Sequence, residues 1–153
     1  MDKELLKMVS KHQNFETKNA SSLKSIVDGT DSSIIKMFLG GIMLDSTKHA
    51  LILQTIMDID AGQVLWDIDK QKMVEQLNIH LEIENTMLKS IQDIITKNTD
   101  GKIAPLIDGI LSDERKHHEL LIQLLKTIEN MEYLKEEWVN MYVQFQQEDF
   151  GRT

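Results

Sequence analysis

The sequence predicts an all-α protein: a bundle of four helices built from an internally repeated helix pair, followed by a shorter fifth helix. Two observations lead there. Apolar residues recur at a spacing near 3.6 almost throughout, with no sustained alternation of period two. The chain also repeats itself: shifted by 68 positions, its halves align without a gap over about forty residues. At 153 residues a single domain spanning the chain is expected.

The first helix is expected from Lys3 to Val27, halted at Asp28-Gly29 by a glycine C-cap. The second follows Thr30-Asp31, either of which can cap it, and reaches Ile59. The third covers Lys70 to Lys97. The fourth follows Thr99-Asp100-Gly101 and runs to Glu129, with Pro105 tolerated in its first turn. The repeat halves are thus 3–59 and 70–129. The connection from Asp60 to Asp69 is long enough either to cross a bundle or to fold as a compact turn. A segment from Tyr133 to Gln147 places Trp138, Met141, Tyr142 and Phe145 on one side. It either covers the bundle end or makes a dimer contact, and a homo-oligomer, a dimer, is the expected assembly.

Composition narrows the function. Seventeen basic and twenty-five acidic residues give a net charge of -8, which repels a phosphate backbone and favours cations over nucleic acid. No apolar run approaches the roughly 20 residues that span a bilayer, and no secretory core opens the chain, so a cytoplasmic protein without a membrane partner is expected. Zero cysteine removes disulfides, thiolate zinc sites and iron–sulfur clusters from this chain.

The repeat is most telling at its polar positions. His12 falls on His80, Glu16 on Glu84, Asp45 on Asp113, Lys48 on Lys116 and His49 on His117. The second and fourth helices share the string Gly-Ile-x-x-Asp-x-x-Lys-His. These polar residues lie on the apolar stripes: Ile35, Phe38, Ile42, Asp45, His49, Ile52 and Ile56 in one helix, with Ile103, Leu106, Ile110, Asp113, His117, Leu120 and Leu124 in its mate. The first and third helices carry His12 with Glu16 and His80 with Glu84 on theirs. Buried unpaired, each such group costs several kcal/mol. They must be neutralised, paired with one another, or bound to a cation, and a divalent metal accepts carboxylate oxygen and imidazole nitrogen together.

On these residues the chain resembles the ferritin-like, rubrerythrin-type di-metal carboxylate proteins. Their bundle core receives one Glu from each of two helices and a Glu-x-x-His from each of the other two. Glu114 and His117 match that motif, and Glu16 and Glu84 match the lone glutamates. The resemblance covers residues 3 to 129. It implies that Glu16, His49, Glu84, Glu114 and His117 are metal ligands. Asp45 and Asp113 would stand behind them, Asp113 holding His49 and Asp45 holding His117 in the tautomer and direction that ligation needs. It further implies iron, with manganese or zinc as alternatives, an oxidase or peroxidase type of activity, and an external electron donor.

The chain departs from the pattern once. Ser46 stands where the family has glutamate, and a neutral hydroxyl does not bridge two metals. His12, His80 and Glu82 are candidates to supplement the ligand set. Two metals held asymmetrically, one metal, or none all fit the residues. So do three functions: a metal oxidoreductase, a non-catalytic metal-binding module, or a structural bundle with a polar network in which the glutamates pair with the histidines. Gly40-Gly41 points to a close helix approach or a bulge, and His118 and Glu119 are expected on an exposed face.

Overall fold

The computed structural model describes residues 1–62, 70–98 and 100–129, together with 139, 140, 142 and 143. Among these residues there are helices and no strand. Their order is α1 (Lys3–Gly29), α2 (Ser33–Asp60), α3 (Lys70–Lys97) and α4 (Ala104–Glu129). At 1.5 Å per residue each is about 40 Å long. Almost all of the expected fifth helix, and the connection after Gly62, lie outside the described residues. No described helix is long and apolar enough to cross a membrane.

The helices form two units, α1 packed on α2 and α3 packed on α4. Both pairs are antiparallel. The Met1 ammonium meets the Asp60 carboxylate, which brings the start of α1 to the end of α2. Likewise the Lys70 Nζ donates to the Glu129 carbonyl.

Capping explains the boundaries. The Asp2 carboxylate accepts from the Leu5 N–H at 2.8 Å, and Glu4 adds negative charge where the helix dipole favours it. The end of α1 differs from expectation. Gly29 is its last helical residue and has no positive φ; Thr30, extended at φ -99°, breaks the helix instead. The cap of α2 is neither Thr30 nor Asp31 but Ser32, whose hydroxyl accepts from the Ile35 N–H at 3.4 Å. Thr30 Oγ1 accepts from the Ser32 N–H and closes the turn before it. The glycine stop expected after α1 is found after α2. There Gly62 takes φ 68° and its N–H bonds the Ile59 carbonyl. Before α4, Asp100 Oδ1 accepts from the Lys102 N–H, and Pro105 falls in the first turn, where its missing N–H costs nothing.

The packed faces overlap only in part with the stripes read from the sequence. In α2 the half-buried residues include Leu39, Met43, Ala50, Leu53 and Met57, and also Ile52 of the expected stripe, with Ser46 buried among them at 4% exposure. In α4 they include Leu111, Glu114, His118, Leu121 and Leu125, and also Leu120 and Leu124 of the expected stripe, with Ile107 and Ile128 buried. Phe38, Ile42, Leu106 and Ile110, expected to point inward, are exposed. The physical reason is that the apolar arc of each helix is wide enough for two adjacent seams, and the hairpin partner takes one edge of it. Gly40 and Gly41 make no close approach: a Cβ at either would meet nothing within 4 Å, and α2 runs through them without interruption.

Candidate metal centre

Helices α3 and α4 bring Glu84, Glu114 and His117 together. One ligand atom from each lies within 4.8 Å of the others, and both glutamates are half-buried while His117 is exposed. The geometry follows from the sequence. Glu114 and His117, three residues apart, project from neighbouring positions of one helix face, and Glu84 interrupts the α3 stripe between Leu81 and Leu88. Oε2 of Glu84 and Oε2 of Glu114 are buried without a hydrogen-bond partner among the described residues. Burial pushes the Glu114 carboxyl above its ordinary value of 4.5. Glu84 raises it further, through a side-chain hydrogen bond and by its charge, while His117 opposes the rise.

The matching residues of α1 and α2 also meet, in a different arrangement. Glu16 Oε1 lies 3.4 Å from His49 Nδ1 and 3.5 Å from His12 Nε2. The pairing of a glutamate with histidines is therefore realised at Glu16, whereas Glu84 faces a second carboxylate. Ser46, at the position matching Glu114, is bonded by Asn19: its Oγ and the Asn19 Nδ2 are 2.9 Å apart.

The remaining candidates lie outside both groups. Asp45 and Asp113 are exposed at the side chain, 62% and 66%, and pair with Lys48 at 3.0 Å and Lys116 at 3.7 Å, one turn along their own helices. His80 and Glu82 are exposed. His118 corrects the sequence reading: it is half-buried, with Nδ1 enclosed and unpartnered.

Asn19 was not legible as a site residue. Its signal is a second departure from the repeat beside the first, since Met87 matches Asn19 just as Glu114 matches Ser46.

The residues of the second pair fit a divalent cation. Two carboxylates side by side in a partly dry site repel each other, and two of their oxygens lack a donor. A cation satisfies both at once, and the imidazole supplies a nitrogen ligand acceptable to iron, manganese or zinc.

Models of known protein families, curated proteins and solved structures all give no match to this chain. The ferritin-like resemblance accordingly rests on the motif residues themselves.

Proposed function

We propose that this protein binds a divalent metal ion through Glu84, Glu114 and His117, with water completing the coordination. The observation that carries the reading is the convergence of two buried, unpartnered carboxylate oxygens and an imidazole between α3 and α4. The ion is of the iron, manganese or zinc class, because a mixed oxygen and nitrogen donor set without sulfur suits these metals.

The resemblance adds a redox reading, in which bound iron or manganese supplies chemistry towards peroxide or dioxygen. A binding module without turnover is the reading favoured by Ser46, because the position matching Glu114 holds a hydroxyl, already bonded to Asn19, in place of a carboxylate ligand.

Binding is tested by thermal unfolding of the metal-free chain with and without zinc or manganese. The wild type is expected to gain about 2.7 kcal/mol of stability when free metal reaches one hundred times its dissociation constant. Glu84→Gln or His117→Ala is expected to remove that gain while leaving the helical circular dichroism in place. An unchanged response in both variants would place the ion elsewhere and sink the proposal. Peroxide turnover by the iron-loaded wild type, lost in His117→Ala, is the result that would add a redox activity.

A further inference from the structure

The two helical pairs treat matching positions differently, and the difference bears on how many ions the chain can hold. In α3 and α4 the matched set is Glu84, Glu114 and His117, with two carboxylate oxygens lacking partners. In α1 and α2 the same positions hold Glu16, Ser46 and His49, and there Glu16 Oε1 and Ser46 Oγ have partners within the protein. Glu16 stands between two imidazole nitrogens, each able to donate an N–H to it. Ser46 is nearly inaccessible and its Oγ is bonded to the Asn19 amide.

We infer that the chain holds a single divalent cation, on α3 and α4, and that the Asn19–Ser46 hydrogen bond closes the matching place on α1 and α2 to metal. This rests on the metal site proposed above and goes beyond it in fixing the stoichiometry and naming the device that sets it. Three physical terms support it. A hydroxyl brings no charge to offset the dehydration of a divalent ion, whereas a carboxylate does. A donor N–H beside that hydroxyl presents the positive end of the amide dipole to any cation. Displacing Asn19 would also leave the buried Ser46 hydroxyl without its partner. The two departures from the repeat therefore act as one unit: Ser46 removes the ligand and Asn19 satisfies what replaced it.

The test is ion counting on the full chain, titrated with cobalt(II) and followed by visible absorption and elemental analysis. Wild type is expected to bind one equivalent, lost in His117→Ala and retained in His49→Ala. The double variant Asn19→Met with Ser46→Glu installs the residues of the second pair in the first and is expected to bind two equivalents. Adding His49→Ala to that double variant should return it to one. Two equivalents in wild type, one of them lost in His49→Ala, would overturn the inference and leave the α3–α4 site standing. A double variant that keeps its helical circular dichroism and still binds one ion would overturn the lock. If that variant does not fold, the single variants His49→Ala and His117→Ala decide the stoichiometry alone. No bound cobalt in wild type would remove the underlying site as well, an outcome distinct from the other two.

Discussion

Glu114 carries the conflict on which the site turns. Its carboxyl is raised by burial first and by Glu84 second, so the folded chain holds that proton more tightly than the unfolded chain does. Below pH 4.5 both states are protonated and the group contributes nothing to the pH dependence. As pH rises above 4.5 the unfolded state releases its proton first, so stability falls through the window up to the raised value and stays lowered beyond it. Metal-free wild type is therefore expected to lose melting temperature across this window relative to Glu114→Gln, by scanning calorimetry at several pH values. Parallel curves would show that Glu114 titrates as an ordinary exposed acid. Metal uptake displaces the same proton, so affinity rises with pH over the same interval. Much of this residue-scale arrangement was legible: the glutamate and histidine spacing on α4 and the opposing Glu84 were visible in the repeat. The partner of Ser46 was not. Motif spacing identifies what a position has lost, while the side chain that fills the gap is set by packing between two helices.

The helices show the same division between local and tertiary control. The bounds of α3 and α4 are close to those read from periodicity and Pro105. The turn between α1 and α2 misled, because Thr30, Asp31 and Ser32 all have side chains that can cap. Only the chain direction into α2 selects Ser32. Its bond to Ile35 is long at 3.4 Å, so Ser32→Ala is expected to cost about 0.5 kcal/mol, the low end for an N-cap. Gly62→Ala is expected to cost more, about 1 kcal/mol, since a Cβ at φ 68° is sterically disfavoured. Urea unfolding monitored by circular dichroism ranks the two, and the reverse order would mean that Ser32, not Gly62, governs the ends of α2. The offset of the packed stripes has a similar origin. Periodicity shows how wide an apolar arc is, and the choice of seam within it depends on the neighbour.

At the scale of the whole molecule, each helical pair leaves large apolar side chains uncovered. Ile34, Phe38 and Leu51 on the first pair are 68%, 63% and 65% exposed. On the second pair Ile103, Leu106 and Ile110 are similarly open. Exposed apolar side chains in this number point to an association face. A fragment of residues 70–129 is accordingly expected to self-associate, with sedimentation giving a mass above the monomer, and Leu106→Asp with Ile110→Asp is expected to return it to a monomer. A monomeric wild-type fragment would show that these side chains are simply tolerated in water. The sequence foretold the apolar arcs and their repeat; it does not encode in any local pattern which surface meets which.

Contacts that stay within each pair also set a timetable. Among the described residues α1 packs against α2, so the first pair can form as soon as position 62 is free to fold, and such local pairing is fast. Synthesis at about 5–20 residues per second then leaves it waiting several seconds for the rest of the chain. During that interval Phe38 and Leu51 face solvent or a chaperone. The exposure of these side chains therefore begins during synthesis, before the second pair exists.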